Sequence, residues 1–135
     1  MAVELTEKVR TFLQERRFAV LATINADNTP QLTTMWYLLE DDGTITMNTK
    51  VGRTKERNMR RDHRISICIE DSYDFITING TVEMIDDPEI AQRDIYRLSR
   101  RYHGEAKARI QMEQQFSKET RVSLRLKPES IIEYF

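Results

Sequence analysis

The sequence predicts an α+β, mainly β chain in which six antiparallel strands curl into a small closed or split barrel. Three observations lead there. Six segments after Arg17 read as strands from alternating or continuous apolar runs, and their connections are mostly short, which enforces antiparallel pairing. Helical periodicity is confined to the start, to the segment after the third strand, and to the stretch between the last two strands. Closure removes the exposed edges that such a set of strands would otherwise leave.

The elements follow in order. "ELTEKVRTFLQERR" sets Leu5, Val9, Phe12 and Leu13 at helical spacing, with Thr6 placed to start the helix. "FAVLATI" is a nearly continuous apolar run, the pattern of a strand covered on both faces. "NADNTP" is a turn, "QLTTMWYLLE" the second strand, and "DDG" a short hairpin loop into "TITMNT". "GRTKERNMRRD" is a short basic helix with Met59 turned to the core and Asn58 hydrogen-bonding loop backbone, and "RISICIED" is the fourth strand. "SYDFITINGTVEMID" is a long fifth strand in which Gly80 marks a bulge or a close backbone approach. Asp86 or Asp87 caps the next helix, Pro88 occupies its first turn, and it closes near Gly104. "EAKARIQMEQQFS" continues as helix, and "TRVSLRLKPESIIEYF" supplies the sixth strand.

Composition narrows the function. A chain of 135 residues suits one domain, here residues 1–135, without repeats or linkers. Its apolar share of 39% is low and its charged share of 32% is high, which points to a second subunit completing the apolar surface. The net charge of −1 gives no global drive toward nucleic acid or membrane. Between Lys50 and Arg64, however, seven Lys/Arg face only Glu56 and Asp62, a local +5 that leaves −6 on the other 120 residues. No aromatic residue interleaves those cations, as RNA stacking requires. The single cysteine, Cys68, excludes intramolecular disulfides and reads as a small buried hydrophobe. The charged N-terminus lacks a secretory apolar core, and no run approaches the roughly 20 apolar residues of a membrane span. A soluble, cytoplasmic protein is expected. Ser, His and Asp form no triad pattern, and His63 and His103 lack the partners of a metal site, so no catalytic side chain and no metal are assigned.

The basic insert has its own chemistry. A helix starting just after Gly52 offers backbone N–H groups and the positive end of its dipole. Arg53 can grip a phosphate through two parallel hydrogen bonds, and Lys55 adds a mobile charge. Without GxxxxGK[ST] this is not a P-loop.

The helix with its following strands, the run "GRTKERNMRRDHRISI" and the closing "RVSLRLKPESIIEY" together resemble the split β-barrel flavin and deazaflavin oxidoreductases, the pyridoxamine-phosphate-oxidase-like superfamily with its FMN-binding split barrel. The middle run resembles that family's Arg-x-Lys-x-x-Asn-Leu motif, and His63 stands where the family commonly has proline. The resemblance implies a homodimer with the tricyclic cofactor in a groove at the subunit interface. Arg53 and Lys55 then match the phosphate-binding pair, with Thr54 between them. Met47, Asn48 and Thr49 match the strand end beneath the ring and ribityl chain. Gln31, Thr33, Thr34 and Met35 match the neighbouring strand. Lys50 and Arg57 lie along an anionic tail, and Asn58 fixes the loop. One of Trp36 and Tyr37 is core and the other is free to stack on the ring. Tyr73 and Phe75 are wall candidates for which core packing is favoured.

The resemblance leaves two cofactors. FMN ends in a phosphate, whereas coenzyme F420, a deazaflavin, continues into a longer polyanionic tail that suits the local +5. "KPESIIEYF" ends too soon for the substrate-phosphate contacts expected of the oxidase branch. The expected activity is therefore F420-dependent reduction of an unsaturated small molecule such as an enone, quinone or bilin. An FMN oxidoreductase and a non-catalytic tetrapyrrole binder are the alternatives.

Overall fold

The computed structural model describes residues 3–135. Helix α1 (Glu7–Gln14) precedes β1 (Ala19–Ile24), β2 (Pro30–Met35), β3 (Leu38–Leu39) and β4 (Ile45–Lys50). Helix α2 (Thr54–Arg61) leads into the hairpin of β5 (Arg64–Asp71) and β6 (Asp74–Ile85). Helices α3 (Pro88–His103) and α4 (Glu105–Gln114) and a 3₁₀ turn (Phe116–Lys118) then precede β7 (Arg121–Tyr134). All pairings are antiparallel, in the order β2-β1-β5-β6-β7-β4-β3.

The two outermost strands of that order, β2 and β3, are consecutive in sequence with only Trp36 and Tyr37 between them. The sheet thus curls until one covalent corner joins its edges, which is a split barrel. The strands number seven rather than six because "QLTTMWYLLE" breaks at this corner. Tyr37 is the cause. Its fully buried ring cannot alternate out of the core, and its hydroxyl donates toward the Leu13 and Glu15 carbonyls at the C-terminal end of α1 (3.0 and 3.3 Å). Its N–H donates to the Tyr102 hydroxyl of α3 (3.2 Å) instead of a neighbouring strand. Burial pushes the Tyr37 phenol up to about 12, so it stays a donor.

Local chemistry supports the remaining elements. Thr6 accepts from the Val9 N–H (3.2 Å) and caps α1, while Asp87 accepts from the Glu89 N–H (2.9 Å) with Pro88 in the first turn of α3. Gly80 is both a bulge and a close approach: a Cβ there would lie 2.0 Å from the Lys127 carbonyl oxygen. Val9, Phe12 and Leu13 of α1 close one end of a core built from the inward rows of the strands, among them Leu21, Ile45, Met47, Ile67, Ile78 and Leu124, with Met59 of α2 joining it. No described helix is long and apolar enough to cross a membrane.

Two other expectations change. Tyr73 is 87% exposed, because Ser72 and Tyr73 form the β5–β6 hairpin turn, with Ser72 at φ 59°, and β6 begins only at Asp74. Phe75 is half-buried and stacks on Tyr134 across β6–β7 (5.7 Å between centroids). Cys68 is half-buried rather than buried, since Ile65, Ile67 and Ile69 take the inward positions of β5.

Candidate functional site

A cavity of about 220 Å³ opens where β2, β4, the start of α2, α3 and the segment before β7 converge. Its apolar lining is Met35, Trp36, Ile95, Leu98 and Phe116. Its cations are Lys50, Arg53, Lys55 and Arg121, the last lying over the Phe116 ring at 5.0 Å. Register explains this concentration. Lys50 ends β4 directly opposite Arg121 at the start of β7, a like-charged cross-strand pair. The chain then turns through Gly52, at a φ of 100° that suits glycine, and α2 delivers Arg53 and Lys55 to the same opening.

Among the described residues, only Glu119 answers this charge. It accepts from Arg121 Nη1 (2.6 Å) and lies 3.8 Å from Lys50 Nζ, while no carboxylate lines the cavity itself. The Arg53 side chain has no hydrogen-bond or ion-pair partner among the described residues. Lys55 is half-buried, and its Nζ reaches only the Thr33 hydroxyl, at 3.4 Å. Burial, and then the charges of Arg53 and Arg121, pull the Lys55 pKa below the ordinary lysine value. Burial likewise pulls Arg121 down, with Arg53 adding to it and Glu119 opposing it. The arrangement favours capture of an anion that brings several negative oxygens.

Arg121 is held from behind by a buried relay whose polarity is fixed. Asp94 is fully buried, and as an ionised carboxylate it only accepts. Ser123 therefore gives it its one hydroxyl hydrogen (2.7 Å) and accepts from Asn48 Nδ2 (3.2 Å). That orientation leaves Asn48 Oδ1 facing Arg121 Nε (2.8 Å). Asn48 Nδ2 also donates to the Ala91 carbonyl (2.9 Å), and Arg125 and Arg97 bond to Asp94 (2.8 and 3.0 Å). Burial alone would raise the Asp94 carboxyl; hydrogen bonds from Ser123 and Arg125, with the Arg125 charge, outweigh it and hold the group below the usual carboxylate range.

Residues 5–135 match the family described as pyridoxamine 5'-phosphate oxidase. The chain belongs to that family. Among solved structures it is similar to the conserved hypothetical protein Rv2991 from Mycobacterium tuberculosis, with 29% identity, a TM-score of 0.80 and coverage of 98% of this chain and 86% of that one. An F420 reductase shares the fold at 23% identity and a TM-score of 0.80, covering 95% of this chain and 98% of its own. HutZ, a haem storage protein from Vibrio cholerae, shares it at 21% identity and a TM-score of 0.70, covering 97% and 95%. No curated protein matches the sequence.

Of the residues matched to the oxidase family's motifs, Thr34, Met35, Asn48, Thr49, Lys50, Arg53 and Lys55 line the cavity. Thr33 stands behind Lys55, and Gln31 accepts from Thr23 (3.2 Å) outside the cavity. Met47 is fully buried in the core. Thr54 and Arg57 sit on the exposed side of α2, where Arg57 donates to the Gly52 carbonyl and reaches Thr54 Oγ1. Asn58 bonds side chains, Thr23 Oγ1 and Asn25 Oδ1 (3.1 and 2.8 Å), rather than loop backbone. Trp36 lines the cavity and Tyr37 is core, while Tyr73 and Phe75 lie away from it on the β5–β6 hairpin. Arg121, Ile95, Leu98, Gln115 and Phe116 were not legible as site residues, because only the β4–β7 register and the packing of α3 bring them there.

The relay has a pH signature. A carboxyl whose folded pKa is depressed stabilises the fold above its unfolded value of about 3.9, and that contribution is lost as pH falls through the folded pKa. Asp94→Asn should therefore be less stable than the parent at neutral pH, with the gap narrowing on acidification below about pH 4. Urea titrations at a series of pH values read this directly; a gap independent of pH would contradict the assignment.

Proposed function

We propose that the protein is a deazaflavin (coenzyme F420)-dependent oxidoreductase that reduces an unsaturated small molecule of the enone, quinone or bilin kind. The observation that carries this is the set of four cations, Lys50, Arg53, Lys55 and Arg121, around an acid-free cavity, with Glu119 alone among the described residues offsetting them from outside it. A single phosphate would satisfy Arg53 and Lys55. Cations that continue to Lys50 and Arg121 suit a longer polyanionic tail. The F420 reductase of the same fold supports the reading at the level of architecture.

When bound, the reduced deazaflavin would supply a hydride from its central carbon. The chain's own part is positioning and exclusion of water. Arg53 and Lys55 clamp the tail, Arg121 is aimed by Asn48, and Trp36, Leu98 and Phe116 offer an apolar wall to a planar ring. An FMN oxidoreductase remains the second reading, favoured by the family description itself.

The reading includes a homodimer. The cavity is smaller than the roughly 300–1,000 Å³ of a complete small-molecule site, as half of a shared groove would be. The outward sheet face beside it is apolar and uncovered. Thr34, at the cavity, pairs with Val20, which pairs with Cys68, then Thr77 and Ile132, while Leu32 (64% exposed) and Ile132 (55%) project from the same face. A second copy seated there would bury this patch and complete the groove.

Three experiments test these points. Protein made in a host without the deazaflavin should emerge colourless, and yellow protein carrying FMN would favour the second reading. In F420 titrations Arg53→Ala and Lys55→Ala should each lose about 1–3 kcal/mol of binding. Arg61→Ala should lose little, since Arg61 bonds the Ile24 carbonyl and Asn58 instead. Equal affinities for all three variants would misplace the clamp. For the dimer, Leu32→Glu should sediment as a folded monomer with weakened cofactor binding; a wild-type monomer binding at full affinity would refute the shared groove.

A further inference from the structure

A second cavity, of about 270 Å³, shares Trp36 with the first and is otherwise lined by Arg16, Arg17, Phe18, Tyr102 and His103. Its wall is a pile of rings. Phe18 stacks on Tyr102 (5.4 Å, 26°), Tyr102 on Trp36 (5.3 Å, 11°), and His103 meets Trp36 edge-on (5.2 Å). The Tyr102 hydroxyl is committed to the backbone, donating to the Arg17 carbonyl and accepting from the Tyr37 N–H. The pile is therefore rigid and apolar toward the cavity. Phe18 nevertheless stays 57% exposed, a large aromatic without a covering group.

The charges around it are unequal. Arg17 is balanced by Glu15 (2.7 Å) and Asp71 (2.9 Å) and lies over the Phe12 ring. Arg16 has one contact, from Nη1 to the Tyr102 carbonyl (3.3 Å), and no acidic partner among the described residues. No carboxylate lines the cavity. An unpaired guanidinium beside exposed ring faces is complementary to a flat conjugated molecule carrying a carboxylate, which it can bind through paired hydrogen bonds while the rings stack.

We propose that this cavity binds planar conjugated carboxylates. Resting on the oxidoreductase reading, these are the substrate class, held where Trp36 joins the cavity to the cofactor groove. Arg16 selects for the carboxylate, and Phe18 with Trp36 selects for planarity.

Trp36 is the only tryptophan, so its emission reports on both cavities. trans-Cinnamate, added to the cofactor-free protein, should quench that emission saturably, and neutral cinnamamide should bind about tenfold more weakly. Arg16→Gln should lower cinnamate affinity about tenfold and leave cinnamamide unchanged, while Phe18→Ala should weaken both. Arg53→Ala, in the cofactor groove, should leave cinnamate binding intact. Absence of saturable quenching, equal binding of acid and amide, or sensitivity to Arg53→Ala without sensitivity to Arg16→Gln would overturn the proposal. Cinnamate binding in a protein that takes up no deazaflavin would keep this site and overturn only the oxidoreductase reading.

Discussion

Unbalanced positive charge at the junction of β4 and α2 is the constraint on which the rest of the site depends. Lys50 and Arg121 face each other across a strand pair, Arg53 and Lys55 approach from the helix start, and among the described residues Glu119 alone offsets them. Such a cluster opposes folding; burial first, and then the charges of Arg53 and Arg121, lower the Lys55 pKa. By contrast, two other cations of the same segment are neutralised locally, Arg60 by Glu56 and Asp86 and Arg64 by Asp62, while Arg57 and Arg61 bond neutral oxygens of Gly52, Thr54, Ile24 and Asn58. Three cations of the segment, Lys50, Arg53 and Lys55, gather with Arg121 at one cavity, where an anion would relieve the repulsion.

The scaffold supplies rigidity behind that charge. Asp94, buried in α3, fixes the hydrogen of Ser123, which fixes the amide of Asn48, which fixes the direction of Arg121. Each member can bond in only one sense, because a carboxylate donates nothing and a hydroxyl has one hydrogen to give. On the opposite wall the Trp36–Tyr37 corner does two jobs. Tyr37 anchors the barrel seam to α1 and α3, and that anchoring turns Trp36 toward both cavities. Fold closure and site geometry share one dipeptide.

Much of this was legible from local pattern. Alternation placed the strands, Asp87, Pro88 and Gly104 bounded the long helix, and glycine at 80 marked its bulge. Cys68 was misread as buried, although the alternation of Ile65, Ile67 and Ile69 leaves it the opposite face. What escaped depends on distant partners. Nothing local in "QLTTMWYLLE" announces a corner that Tyr102 and the Leu13 carbonyl impose from elsewhere in the chain. The turn at Ser72 and Tyr73 has no glycine or asparagine to announce it. Arg121 looked like an ordinary strand residue, because its meaning comes from Asn48, 73 positions earlier, through the β4–β7 register. The placement of Arg53 and Lys55 at one opening was readable because glycine, helix start and cations are neighbours in sequence.

The titration of the Lys55 ammonium is the measurement closest to the central claim. Heteronuclear NMR of lysine side chains, on the free protein and after adding F420 or FMN, follows it directly. The account predicts that Lys55 deprotonates below the ordinary lysine value of about 10.4 in the free protein and shifts upward when the anionic tail binds. A Lys55 that titrates as an exposed lysine and does not respond to either cofactor would contradict it.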